Sequence, residues 1–308
     1  MDETESIESF ECFGGHVNVI VMGAGPAGTP RAAAAMVKRR MLDWHLQFSR
    51  FEPESELSKL NADPRETVPV SPLMARLLEA TIGAAQQSGG LVDATLVGEI
   101  EAAGYDGHFD APSLPLRVAL ALAPPRHPGG PSQRTGWRQV TLDRRALTVT
   151  RPAGLRFDSG GIAKGMFGDI LAEMLDGHTS FAIDCGGDVR LGGSGRIERP
   201  VQVASPFSAE ILHTFALHGG AVATSGIGKR SWLDSAGRPA HHLLDPATGL
   251  PAYTGIVQVT AIAPTGVEAE WRTKAALLSG PQRASEWLPH GGLVVFDDAD
   301  VELVTPPR

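Results

Sequence analysis

Five separated polar segments, four of them glycine-rich, set the narrowest limit on how this chain can fold. They are Ser55–Asn61 (SELSKLN), Gly90–Thr95 (GLVDAT), Phe157–Gly165 (FDSGGIAKG), Ala182–Asp188 (AIDCGGD), and Ala223–Gly226 (ATSG) running on through Arg230 to His242–Gly249 (HLLDPATG). Turns of this kind must interrupt regular structure every few tens of residues, because glycine and short polar side chains favour bends over long helices or strands. Gly and Pro supply 36 and 23 of the 308 residues, so many short strands joined by turns are expected instead of a helical bundle.

Hydrophobic spacing fills the intervals. Residues 16–22 (HVNVIVM) alternate and are β-branched, which predicts a strand. Residues 30–48 place apolar side chains at helical spacing behind Pro30, a residue suited to a helix start. Further helices are predicted over 72–87, 162–175 and 267–279, with a short helical island (LRVALALA) inside the Pro- and Gly-rich stretch 107–134. The segment WRQVTLDRRALTVT alternates on both sides of Asp143–Arg145 and predicts a hairpin; strands follow near 180–184, 200–204, 210–217 and 256–263, and GGLVVF with VELV forms a last pair. The order gives an α+β (mixed α/β) class, with short mixed strands packed with helices, rather than a regular βαβ array. Residues 1–12 are expected to be a disordered acidic tail and residues 13–308 a single domain.

Composition narrows the function. A formal charge of −8 argues against the phosphate backbone of nucleic acid as a partner. Cys12 and Cys185 lie far apart in sequence and read as reduced thiols. No stretch is apolar enough for a signal peptide or for membrane insertion, and the expected location is cytoplasmic.

Gly23-Ala24-Gly25-Pro26-Ala27-Gly28 is a formal GxGxxG between a strand and a helix, with Asp43 near the spacing of a ribose-binding acid. Alone it supports a Rossmann-type flavin or NAD oxidoreductase. No second βαβ strand follows the helix, however, and Asp43 falls within it. A tight Gly/Pro turn is the simpler reading.

The DSGGIAKG segment carries more chemistry. Adjacent glycines just ahead of a helix offer free N–H groups and a helix dipole to an anion, and Lys164 adds a mobile positive charge. Each segment is weak singly. Taken in order, SELSKLN, GLVDATL, DSGGIAKG, IDCGGD, ATSG with Arg230, HHLLDPATG and the stretch from Ala261 to Gly280 resemble the ApbE family of FAD:protein FMN transferases over nearly the whole chain. The resemblance implies that FAD is bound as substrate and that magnesium sits at its pyrophosphate. FMN would pass to a Thr or Ser hydroxyl of a target flavoprotein or flavoprotein domain, and AMP would leave.

By that resemblance Asp158 and Lys164 contact flavin, as do Val92, Asp93 and Ala94. Phe13 stands in place of a family Met, Phe51 in place of an aromatic before SELSKLN, and Leu244 is an apolar contact. His242 matches the family's base for the incoming hydroxyl, a task its ordinary pKa suits. Simpler roles are a helix cap for Asp158 and a bond to a strand carbonyl for His242. Gly161 would offer a carbonyl to the metal.

The last motif departs from the family's Ala-Asp-x-x-x-Thr. Here Glu270 takes the Asp place and Lys274 the Thr place, with Thr273 one position round the helix. An ammonium cannot ligate magnesium. Glu270, Thr273 and Gly161 remain as metal ligands, with magnesium weakened or replaced by Lys274. The alternative is an FAD-binding homologue without transferase activity.

Overall fold

The computed structural model of the chain describes residues 5–107 and 112–306. Its centre is one eight-stranded sheet whose strands, numbered here in chain order, are β1 (Glu5–Cys12), β2 (Gly15–Met22), β3 (Ser180–Cys185), β4 (Val189–Gly192), β5 (Gly220–Gly226), β6 (Ile256–Ala263), β7 (Gly292–Phe296) and β8 (Val301–Val304). Spatial order follows chain order, and every neighbouring pair is antiparallel. The sheet is a meander with long insertions between β2 and β3 and between β5 and β6. A Rossmann site needs parallel strands, so the oxidoreductase reading fails on topology alone.

The four longest helices are α1 (Pro30–Phe48), α2 (Pro72–Gln87), α3 (Ala163–Leu175) and α4 (Gly266–Ser279). Thr29, Ser71 and Thr265 cap α1, α2 and α4, each hydroxyl accepting a first-turn N–H. The apolar stripe of α1 (Val37, Met41, Trp44, Phe48) packs with Phe167 of α3 and Val19, Val21 and Ile183 of the sheet in one cluster. On the other face, the hairpin Arg199–Ala204 with Ile211–Leu217 brings Val201 against Ala182, Leu191 and Val222. Helices thus cover one face of the sheet and a two-stranded ribbon part of the other.

Most predicted elements recur close to their expected bounds, including the Thr141–Asp143 and Thr148–Thr150 hairpin and the Leu116–Leu122 island. Two readings need correction. Residues 5–12 are no disordered tail: they form β1, paired with β2 from Glu5↔Met22 to Cys12↔Gly15. The tight turn is Phe13–Gly14, with φ of 52° and 65°, the left-handed pair that a two-residue hairpin demands. Only the inner end of this edge strand is buried, at Phe10 and Cys12, so its outer residues are free to be charged. Ala223–Gly226, read as part of a turn segment, lies in central strand β5 (Gly220–Gly226). Its Ala221 and Ala223 meet Ala263 and Ala269 in a small-residue contact that lets α4 lie close to the sheet.

The GAGPAG segment lies past the far end of β2, about 23 Å along the strand from the Phe13–Gly14 turn. Gly25 and Gly28 bond each other's backbone in a closed turn, and Gly25 lies against the buried His178 ring. Asp43 is exposed on α1. The simpler turn reading describes it.

Candidate active site

At the opposite end of the sheet the insertions converge on one cleft. Its lining includes Phe13, Phe51, Val92, Asp93, Ala94, Asp158, Gly161, Lys164, His242, Leu244 and Lys274. Residues from six separate stretches of sequence therefore meet in one place. The segments are bound to each other: Asn61 of SELSKLN pairs with the Phe157 backbone in both directions, each bond 2.8 Å, fixing the DSGG loop.

The apolar part of the lining includes Phe13, Phe51, Val92 and Leu244. Phe13 stacks on Phe167 with ring centres 5.4 Å apart. Asp93 spends one carboxylate oxygen on the Thr95 N–H and hydroxyl (2.8 and 2.6 Å). Its other oxygen is buried with no partner among the described residues, and burial raises its pKa despite the Thr95 bonds. A buried acceptor without a partner costs on the order of 1–3 kcal/mol, which a bound ligand's N–H would recover.

Asp158 is no helix cap, since Ile162 begins α3 without side-chain capping. One Asp158 oxygen accepts from Gly160 N (2.7 Å) and the other from Arg50 Nε (3.0 Å). Arg50 was not singled out in the sequence. Its side chain is only 6% exposed, donates to the Tyr105 carbonyl, and lies over the rings of Phe51 and Tyr105 at 4.3 and 5.1 Å. Nothing in the spacing marks it, because its partners come from segments 55 and 108 residues away.

Besides Arg50, three cations line the cleft: Lys164, Arg230 and Lys274. Lys164 pairs with Asp188 of the β3–β4 turn. Burial works against its ammonium, but Asp188 and Glu270 outweigh it and hold the lysine above its ordinary pKa. Arg230 sits in the left-handed region at φ 54° and donates to the Phe13 carbonyl at 3.0 Å. Two strained residues, Phe13 and Arg230, thus brace each other at the cleft, a cost usually met where a site must be held in shape. Arg230 has only carbonyl acceptors among the described residues. Asp188 and Arg230 belonged to recognised motifs but were not counted as site residues.

His242 borders these cations, and its Nδ1 is buried without a partner among the described residues. Burial first, then the charges of Arg230 and Lys274, push its pKa well below the ordinary histidine value, so the ring is neutral. Its neighbour His241 faces away and is spent structurally, bonding the Ala252 carbonyl and the Leu243 N–H.

The expected metal ligands do not form a site. Glu270 is 1% exposed and gives one oxygen to the Gly165 N–H at 2.8 Å. Thr273 is fully buried, its hydroxyl bonded to Ser225 (2.8 Å) and to the Glu270 carbonyl (2.9 Å), and it does not line the cleft. The Lys274 side chain lies between: its Cε would be 3.4 Å from a Cβ on Gly161, and its Nζ is 3.4 Å from Glu270 Oε1. Among the described residues no group of three or more His, Cys, Asp and Glu is placed to hold a metal. These residues do not fit a divalent ion.

The model of the ApbE family matches residues 13–296. The chain belongs to the ApbE family. It is 28% identical to the FAD:protein FMN transferase of Treponema pallidum (strain Nichols), covering 94% of this chain and 82% of that protein. With the FAD:protein FMN transferase of Salmonella typhimurium it shares 26% identity over 82% of this chain and 72% of the relative. The crystal structure of the Thermotoga maritima ApbE protein superposes with a TM-score of 0.79 at 25% identity, covering 97% of each chain. Residues of GLVDATL, DSGGIAKG and HHLLDPATG, with Arg230 and Lys274, line the cleft; SELSKLN and IDCGGD reach it through Asn61–Phe157 and Asp188–Lys164, and GAGPAG lies outside. No helix among the described residues is long and apolar enough to cross a membrane.

Proposed function

We propose that this ApbE chain is an FAD:protein FMN transferase that binds FAD in the cleft and moves FMN onto a Thr or Ser hydroxyl of a target flavoprotein. The observation that carries the reading is the polarity of the cleft. Phe13, Phe51, Val92 and Leu244 give the lining apolar surface suited to a flat ring, and the Asp93 oxygen that has no partner among the described residues can accept a ring N–H. Lys164, Arg230 and Lys274 are cations of the same lining, suited to a pyrophosphate. A ligand with an aromatic ring at one end and a pyrophosphate further along matches both.

The chemistry asks for positioning and charge neutralisation more than for covalent catalysis. The acceptor oxygen forms a bond to the phosphorus of the FMN half as the bond to the AMP half breaks, and AMP leaves with the electron pair. The hydroxyl proton goes to the neutral His242 ring, whose Nδ1 has no other partner. The depressed pKa leaves that ring unprotonated, and a pyrophosphate offsetting the charges of Arg230 and Lys274 would raise its basicity.

The test is incubation of the purified chain with FAD and a candidate target domain, followed by intact-mass measurement. A target gaining the mass of FMN less one water, with AMP released, is the expected result. Bound FAD with no adduct on any Thr- or Ser-bearing target would leave a binding protein and remove the transferase reading.

A further inference from the structure

We propose that Lys274 takes the place of a divalent ion in this chain, so that the FAD pyrophosphate is neutralised by protein cations and FAD binding is independent of magnesium. This rests on the reading of the cleft as an FAD site.

Three observations converge. First, position: Lys274 follows Glu270 by one turn of α4, and its aliphatic stem lies against Gly161 of the DSGG loop. The ammonium therefore stands between the loop and the carboxylate that would both face a metal. Second, the carboxylate is already committed. Glu270 Oε2 is held by the Gly165 amide at the start of α3, and Oε1 faces Lys274. A metal would have to displace a cation and outcompete a buried backbone bond. Third, the ammonium is not itself consumed. Its contacts to Glu270 Oε1 and the Glu270 carbonyl are 3.4 and 3.2 Å. Both are longer than the about 2.7–2.9 Å of a strong charge-assisted bond. A lysine has three N–H donors, so one is left without a partner among the described residues. The side chain is 13% exposed, and that exposure is to the cleft.

The three cations and two carboxylates leave one net positive charge to offset part of the pyrophosphate charge. Lys164 with Asp188 and Lys274 with Glu270 are each neutral pairs, while Arg230 brings a cation whose partners are carbonyls. An incoming pyrophosphate can draw both lysines from their carboxylates by small rotations of flexible stems, and it meets Arg230 directly. A phosphate oxygen offers Lys274 a shorter bond than either it now makes.

The experiment titrates the full chain with FAD, read by flavin fluorescence, once with a chelator and once with magnesium. Riboflavin, which has the ring and no phosphate, is the second probe, and Lys274→Met, which keeps the stem and loses the charge, is the variant. The unmodified chain should bind FAD with the same affinity, within about twofold, in chelator and in magnesium. Lys274→Met should lose about tenfold or more of its FAD affinity in chelator, the loss of one charge-assisted phosphate contact, while riboflavin affinity stays unchanged. A tenfold gain in FAD affinity from magnesium in the unmodified chain overturns the proposal and leaves the FAD reading standing. So does a Lys274→Met protein that binds FAD normally in chelator, or one that loses FAD and riboflavin equally. Absence of FAD binding under every condition overturns the FAD reading and this proposal with it.

Discussion

Helices α3 and α4 touch backbone to backbone, and one methyl group should force them apart. A Cβ on Gly165 would lie 2.4 Å from the Gly266 carbonyl oxygen, where ordinary contact begins near 3.4 Å. The helices must therefore separate by about 1 Å in Gly165→Ala. Such overpacking costs about 1–3 kcal/mol. The same shift stretches the 2.8 Å bond from the Gly165 amide to Glu270, which is buried. Leaving that carboxylate less satisfied adds about 1–3 kcal/mol. Alanine's better helix propensity returns about 1 kcal/mol, so the net loss is about 3 kcal/mol. Gly83, within α2, is the control, because a Cβ there meets nothing within 4 Å. Gly83→Ala should stabilise by about 0.5–1 kcal/mol. Urea denaturation followed by circular dichroism gives both values. If Gly165→Ala is as stable as the unmodified chain, or if the two substitutions shift the midpoint the same way, the α3–α4 contact does not hold Glu270 in place as argued.

His242→Ala should leave FAD affinity nearly intact and slow FMN transfer roughly 100-fold, the effect of removing a general base; equal loss of both in fluorescence titration and single-turnover assays would make the ring structural. Lys164→Ala should weaken FAD by about tenfold through loss of a phosphate contact. Gly25→Ala, whose Cβ would press on the His178 ring at 2.6 Å, should lower the melting temperature while FAD affinity of the folded protein stays within about twofold. A tenfold FAD loss at Gly25 would return the binding site to GAGPAG. Burial holds His241 to a pKa of about 3 in the fold, against about 6.5 unfolded. Between those values the unfolded chain takes up a proton that the folded chain refuses, so this histidine lowers stability as pH falls from 6.5 toward 3. The slope is about 1.4 kcal/mol per pH unit. Denaturation at pH 6.5 and pH 5 should therefore differ by about 2 kcal/mol less in His241→Gln than in the unmodified chain, and identical differences would refute it.

Local pattern made the long elements legible. The stripe of α1, the alternation of β2 and the hairpin around Asp143 each report burial of one face, which sequence periodicity records directly. It failed where burial leaves no period, as in the alanines of β5, or where a turn uses Phe13-Gly14 instead of the usual Asn-Gly.

The sequence by itself determined the family, through the order of its motifs, and the conflict at Lys274, because a lysine where a hydroxyl ligand belongs is a chemical fact before any folding. Only the tertiary structure decided how that conflict resolves. Glu270 is committed to the Gly165 amide, Thr273 to Ser225, and Lys274 lies against Gly161; each partner comes from another segment of the chain, except for the i,i+4 pair on α4 itself. Arg50 and the unpaired Asp93 oxygen entered the same way. A side chain's charge and length are written in the sequence. Which neighbours consume its hydrogen bonds depends on contacts that closing long insertions over one end of an antiparallel sheet creates.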